Sequence, residues 1–208
     1  RQWCAVLRYR AVAIDNDVHC FTLGEAKFGA AKDFRDVVGI TLGTGIGGGI
    51  VTGGHLYRGR DNAAGEVGHM TISNDKNILC SCGAVGHFEA LASGSAMVKL
   101  YERATGDKKN TFEIENLAAE GNPAANRVLA TMSDALATGI ANIIHIFNPD
   151  VVVVGGGLIR VKALWKPMRT ALRHQIVFPA LRSTPVMRAK LGGDANILGA
   201  ALIAKSGK

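Results

Sequence analysis

His69, Cys80, Cys82 and His87 are four residues of metal-ligand type in one short stretch, and two acids, Glu66 and Glu89, bracket them. They occur as Gly65-Glu66-Val67-Gly68-His69, Cys80-Ser81-Cys82-Gly83 and Gly86-His87-Phe88-Glu89. Two sulfurs and two imidazoles suit one tetrahedral zinc ion. Four protein ligands leave no open position for water, so such a zinc is structural rather than catalytic. The plain alternative is a pair of buried thiols and a surface histidine. Cys-x-Cys beside glycine, with a histidine five positions on, argues against it. A loop pinned by metal holds nearby carboxylates in a fixed pose, so the acids can do the chemistry while the metal holds the shape.

Three further motifs have chemistry in them. Gly43-Thr44-Gly45-Ile46-Gly47-Gly48-Gly49 contains G-x-G-x-x-G, but a dinucleotide site needs a helix to begin there. Here Ile50-Val51-Thr52-Gly53-Gly54 continues as strand and turn, and no Gly-Lys-Ser/Thr follows. Both the Rossmann and the P-loop readings fail. Five glycines in seven positions are costly in entropy, which suggests that the backbone approaches something closely. Bare N–H groups beside Thr44 suit a phosphate, with a structural turn as the bland alternative. Asp15-Asn16-Asp17 at a strand end is either a helix cap or a general base with a neighbouring amide. Gly155-Gly156-Gly157 after an apolar run is a strand-to-helix turn that could also admit a ribose or adenine.

The elements that must position these residues follow from periodicity. Val12 to Ile14 reads as a strand, followed by a helix from Val18 to about Phe28 with Gly29 near its end. Val37 to Leu42 is a strand, the glycine run follows, and strand character resumes at Ile50. Glu89 opens a helix reaching about Ala104, with Leu91, Met97, Val98 and Tyr101 buried. Asn122-Pro123 starts a helix that runs to Phe147. Val151 to Val154 is a fully buried strand. Helices around 162–175 and 196–205 flank a strand near 186–191. Strands alternating with helices give an α/β fold with a mixed sheet.

Composition narrows the class. The 208 residues are 48% hydrophobic and 20% charged, which suits one soluble globular domain or one with a fragment of another. No apolar run reaches the length of a membrane span, and Arg8 and Arg10 interrupt any signal peptide. Two of the four cysteines, Cys4 and Cys20, read as ordinary thiols, which fits a reducing cytoplasm. The net charge of +7 is uneven: from Arg160 on there are ten Lys/Arg against the single acid Asp194. They are scattered with few aromatics, so a solvated helix face ranks ahead of nucleic-acid binding. The chain begins in mid-pattern and reads as the later part of a longer protein.

Taken together, these motifs resemble the ROK family (repressors, open reading frames and sugar kinases). Val12-Ala13-Ile14-Asp15-Asn16-Asp17 is similar to its strand ending in Glu-Asn-Asp, with Asp15 in place of Glu. Leu42 to Gly49 resembles its phosphate loop, and Ala64 to His69 its sugar-binding Ala-Gly-Glu-x-Gly-His. Cys80 to Glu89 resembles the zinc signature Cys-x-Cys-Gly-x-x-Gly-Cys-x-Glu, with His87 in place of the third Cys. Asn148 to Gly157 and Gly199-Ala200-Ala201 resemble its adenosine-side turn and closing helix.

The resemblance implies an actin-like (ribonuclease H-like) ATPase fold. Residues 1–36 would end the N-terminal lobe and hinge, and 37–208 would form the C-terminal sugar- and ATP-binding lobe with a zinc loop at 69–87. Most of the first lobe, with its Asp-x-Gly motif, would lie outside the sequence. It further implies ATP-dependent phosphorylation of the 6-hydroxyl of a hexose, glucose ahead of the others, or of an N-acetylhexosamine. Asp17 would be the general base. Asn16, Asp17, Glu66, His69 and Glu89 would bind the sugar. Gly43, Thr44, Gly45, Gly47, Gly48 and Gly49 would hold ATP phosphates bridged by Mg²⁺, and Gly156 would lie by the adenosine. His69, Cys80, Cys82 and His87 would bind Zn²⁺, His69 serving sugar and metal with its two nitrogens. A cytoplasmic homodimer without nucleic-acid or membrane partners is implied. The alternatives are a sugar-responsive repressor, or a truncated, inactive sugar-binding module.

Overall fold

Strands covered by helices on both faces need apolar residues on both sides, and Val151–Gly155 is buried at every position. The computed structural model describes residues 12–206. Its elements are α1 (Asp17–Phe28), β1 (Val37–Leu42), β2 (Ile46–Thr52), β3 (His55–Tyr57), α2 (Glu89–Ala92), α3 (Gly94–Thr105), α4 (Thr111–Ala119), α5 (Pro123–Phe147), β4 (Val151–Gly155), α6 (Lys162–Gln175), β5 (Val186–Arg188) and α7 (Asp194–Ser206). One sheet runs in the order β3-β2-β1-β4-β5. The β3-β2-β1 part is antiparallel, and β1-β4-β5 is parallel. The mixed α/β sheet expected from the sequence is therefore present.

Side chains alternate across this sheet. Val38, Ile40, Leu42, Val152 and Val154 face the larger core, which α2 to α6 cover. Val37, Val51, Val151 and Val153 face the smaller core under α1 and α7. Residues 17–28, which a division at residue 36 would group with a first lobe, lie on this same sheet. α5 is long and apolar enough to cross a bilayer by length and composition, although no apolar run in the sequence read as a span. Its apolar side chains, among them Met132, Leu136, Ile140 and Ile143, instead fill the larger core.

Several elements differ from the sequence reading. Val12 to Ile14 forms no strand, and Ile14 is exposed, because no neighbouring strand among the described residues offers hydrogen bonds. Strand β2 begins at Ile46, so Gly47, Gly48 and Gly49 are strand residues rather than loop. The helix opening at Glu89 breaks at Ser93, whose side chain caps α3 by accepting from the Ala96 N–H at 3.1 Å. The break lets the Gly94 and Ser95 N–H groups donate to the Gly43 and Thr44 carbonyls. Helix α4 is an additional element, started by a full capping box of Asn110 and Glu113. Strand β5 stops at Arg188, short of Leu191. Cys4 lies outside the described residues.

Candidate active site

Helix α1 begins on a cap. The Asn16 Oδ1 accepts from the N–H groups of Val18 (2.8 Å) and His19 (3.4 Å). This leaves the Asn16 amide N–H donors for other partners. Asp17 occupies the first turn, where the helix dipole favours an acid, and its Oδ1 accepts from the Val18 N–H at 2.9 Å. The cap and the sugar-binding reading of Asn16 are thus compatible.

Behind them Asp15 is held from three sides. Its carboxylate accepts from the Asn16 N–H (2.8 Å), contacts His19 Nδ1 (2.7 Å) and accepts from Arg58 Nε (2.7 Å). Burial works against the charge, but the bonds from His19, Arg58 and Asn16 outweigh it and hold the carboxyl below the usual carboxylate range.

The glycine run has a mechanical explanation for four of its five glycines. A Cβ on Gly45 would meet the Glu89 carboxylate, one on Gly47 would meet Val18, and one on Gly49 would meet Thr22. At Gly48 a Cβ would lie 2.4 Å from the Gly65 carbonyl oxygen and 2.8 Å from Val67. The Glu66-bearing loop can therefore lie directly on β2. Only Gly43 has nothing within 4 Å of that position. Its turn is closed by the Gly43 N–H donating to the Gly45 carbonyl at 3.0 Å. Among the described residues the N–H groups of Thr44 and Gly45 have no partner.

Glu89 connects two parts of the site. Its Oε2 accepts from the Ile46 N–H at 3.0 Å, and its Oε1 accepts from the Ser81 hydroxyl at 2.9 Å. The Ser81 loop is a tight turn in which Cys80 N–H donates to the Ala84 carbonyl and Gly83 N–H to the Cys80 carbonyl. Phe88, fully buried, anchors it against Gly139 of α5, where any Cβ would strike the ring.

His69, Cys80, Cys82 and His87 converge, their ligand atoms all within 4.8 Å of one another. His69 Nδ1 lies 3.2 Å from His87 Nδ1, and Cys82 Sγ lies 3.3 Å from the same His87 nitrogen. Zinc bond lengths put tetrahedral edges at roughly 3.3–3.8 Å, so these donors fit one ion. The other nitrogen of His69, Nε2, faces Glu66 Oε2 at 3.9 Å.

These pieces share one cleft of about 450 Å³. Asn16, Asp17, Glu66 and Glu89 line it together with Gly43, Thr44, Gly45, Gly47, Gly48 and Gly156. Gly156 has φ +90° and lies against the Leu42 backbone, where only glycine fits. Two expected residues are not in its wall: Gly49 is packed under α1, and His69 is reached through Glu66. A second cavity of about 710 Å³ adjoins it, sharing Gly43 and Thr44. Val98, Phe112, Leu158 and Arg160 line this second space, and none was singled out as a site residue from the sequence. Nor was His19, although its spacing of four from Asp15 was the available signal.

This arrangement can hold a polyhydroxylated ligand among carboxylates and an amide, with a phosphate chain crossing the Gly43–Thr44 wall. The comparisons agree with such chemistry. The glucokinase of Thermotoga maritima is 36% identical over 94% of this chain and 66% of its own length. The N-acetylgalactosamine kinase AgaK of Shewanella sp. is 33% identical (96% of this chain, 67% of its own), and the N-acetyl-D-glucosamine kinase of Vibrio cholerae 34% (93% and 67%). The chain thus spans about two thirds of the length of these relatives.

Solved structures superpose closely. The ROK hexokinase of Thermus thermophilus does so with TM-score 0.89 at 34% identity, over 95% of this chain and 66% of that one. A ROK family glucokinase of Streptomyces griseus, in complex with glucose and AMPPNP, gives 0.84 at 32% (98% and 71%). A ROK family transcriptional regulator, a homolog of the E. coli MLC protein, gives 0.78 at 29% (92% and 51%). These neighbours carry the actin-like ATPase fold. The ROK family itself matches residues 8–207, so nearly the whole of this chain belongs to the ROK family.

Proposed function

We propose that this chain is the sugar- and nucleotide-binding part of an ATP-dependent sugar kinase. It would phosphorylate the 6-hydroxyl of a hexose, glucose ahead of the others, or of an N-acetylhexosamine. The observation that carries the reading is the shared cleft: Asp17, Asn16, Glu66 and Glu89 at one end, and the Gly43–Gly45 turn at the other. Relatives 33–36% identical to this chain are sugar kinases of both substrate classes.

In this reading Asp17 accepts the proton of the attacking hydroxyl. The Asn16 amide and the Glu66 and Glu89 carboxylates hold the other hydroxyls. The free N–H groups of Thr44 and Gly45 take the transferring phosphates, and the adenosine lies in the larger cavity near Phe112, Leu158 and Arg160. Mg²⁺, when bound, neutralises phosphate charge in a transition state that is mostly a matter of positioning. His69, Cys80, Cys82 and His87 hold a structural Zn²⁺, and His69 offers Nε2 toward the sugar. Two thiolates balance the charge of the ion, where three would leave the site anionic. Pairing into a homodimer belongs to the same reading.

Asp17→Asn tests the assignment. Sugar binding should persist while turnover falls about 10²–10⁴-fold, the usual share of a placed base. Calorimetry with sugar and a coupled assay for ADP read the two quantities. Phosphorylation at the parent rate would sink the role of Asp17. The regulator reading is favoured by the fold likeness alone. It predicts sugar binding without ATP hydrolysis in the same assay.

A further inference from the structure

His19 is 2% exposed, yet it is a titratable group that the catalytic reading leaves unused. Its Nδ1 lies 2.7 Å from Asp15 Oδ1, and its Nε2 lies 3.0 Å from the Ala64 carbonyl oxygen. Both partners are acceptors: a carbonyl has no proton, and Asp15 is held ionised by Arg58 and the Asn16 N–H. A neutral imidazole can donate from one nitrogen only. The geometry therefore requires a proton on each ring nitrogen.

The contacts on either side define what the ring does. Arg58 donates its Nε to the other oxygen of Asp15 at 2.7 Å. The Ala64 N–H donates to the Arg58 carbonyl at 3.0 Å, closing the loop between them. The two ends of loop 58–64 thus converge on Asp15, one through the Arg58 side chain and one through His19. Glu66 follows two residues after Ala64, while Asn16 and Asp17 directly follow Asp15. The charged groups that face the ring are Asp15 from the chain before α1 and, on the other oxygen of Asp15, Arg58 from the loop after β3.

We propose that His19 is a positioning residue that, as an imidazolium, clamps Ala64 to Asp15 and so fixes the Glu66 side of the sugar cleft relative to Asp17. The clamp itself is independent of any activity; its catalytic consequence rests on the kinase reading. Deprotonation would leave the Nε2 lone pair facing the Ala64 oxygen, and that bond would be replaced by repulsion. The clamp is therefore lost as pH rises, whereas a purely packed ring would be indifferent to pH.

Two measurements on the full chain test the clamp without any sugar. Nitrogen-15 spectra of the His19 ring at neutral pH should show both nitrogens protonated. Amide exchange at Ala64 should speed up in His19→Phe, which keeps the ring volume, by about tenfold or more. A single protonated nitrogen, or unchanged exchange at Ala64, overturns the proposal. Should His19→Phe misfold, the wild-type spectra and exchange at raised pH decide alone.

Kinetics then separate the clamp from the kinase reading. If the wild-type chain phosphorylates sugar, His19→Phe should raise the sugar KM about 10–100-fold and leave the ATP KM within about twofold. Its sugar KM should also stay flat where that of the wild type is expected to rise with pH. Wild-type sugar KM in His19→Phe refutes the positioning role. A wild-type chain that binds neither sugar nor ATP refutes the kinase reading, while the spectra and exchange still decide the clamp.

Discussion

At the scale of single residues, two glycines in one run do different work. A Cβ at Gly43 meets nothing, whereas one at Gly48 must displace the Gly65 carbonyl. Gly43→Ala should keep the melting temperature of the parent and weaken ATP binding, because the methyl enters the space where phosphates would lie. Gly48→Ala should cost about 1–3 kcal/mol of stability, the usual penalty for overpacking, and disturb the Glu66 loop with it. Thermal melts and nucleotide titrations of the pair check this directly. Equal effects in both variants would remove the distinction. Asp36 makes a second prediction at this scale. The Gly53 N–H, then the Thr52 hydroxyl, hold its carboxyl below the usual range by bonding to the charged form. A depressed folded value stabilises above the unfolded pKa of about 3.9, and this contribution disappears as pH falls through the folded value. Asp36→Asn should therefore lower the melting temperature near pH 7, and the gap to the parent should narrow toward pH 3. A constant gap would mean that Asp36 contributes through packing instead.

At the scale of elements, α1 is the part that most of the site leans on. Its first turn presents Asn16 and Asp17, its Val18 and Thr22 lie against the β2 glycines, and its Glu25 reaches the far end of the sheet. Glu25 is fully buried and accepts the N–H groups of Ala30 (2.7 Å), Lys190 (3.0 Å) and Leu191 (2.7 Å). It thereby ties the C-terminal end of α1 to the connection between β5 and α7. Glu25→Ala leaves three partly buried donors unpaired, at about 1 kcal/mol each or somewhat more. Denaturant unfolding should show a loss of several kcal/mol, with sugar affinity falling only through the unfolded fraction. A small loss would mean that water replaces the carboxylate at these donors.

At the scale of the whole molecule, the Cys/His loop and the glycine turn belong to different layers and meet through Glu89. The carboxylate bonds Ser81 on one side and the Ile46 N–H on the other. Any ion held by the four ligands would therefore support the sugar end of the cleft more than the second cavity. Removing metal with a chelator should lower the melting temperature and weaken sugar binding, with ATP binding changed by less than about twofold. Metal analysis before and after treatment, with both titrations, checks this. Sugar affinity that survives complete metal loss would uncouple the loop from the cleft. The sheet organises the rest: with helices on both faces, β4 is buried at every position and β1 at all but the half-buried Thr41.

The residue types alone determined much of this protein. Periodicity and caps placed α1, β4, α5 and α6 within a residue or so, because each is specified locally by its apolar spacing, its Asn16 or Asn122 cap, or an unbroken valine run. Cysteine and histidine spacing gathered the four ligand residues, because a tight turn brings near neighbours together. The capping box of α4 is an equally local signal. Other features were decided only by the tertiary structure. Gly47 to Gly49 are small because a helix and a loop lie on them, and nothing local distinguishes that from a nest for phosphate. Ser93 breaks its helix to receive the Gly43 turn, a partner distant in sequence. His19 acquires its two acceptors only when Ala64 is folded back onto Asp15. Contacts between residues far apart in the chain leave no periodic trace, and the width of the cleft is set by contacts of that kind.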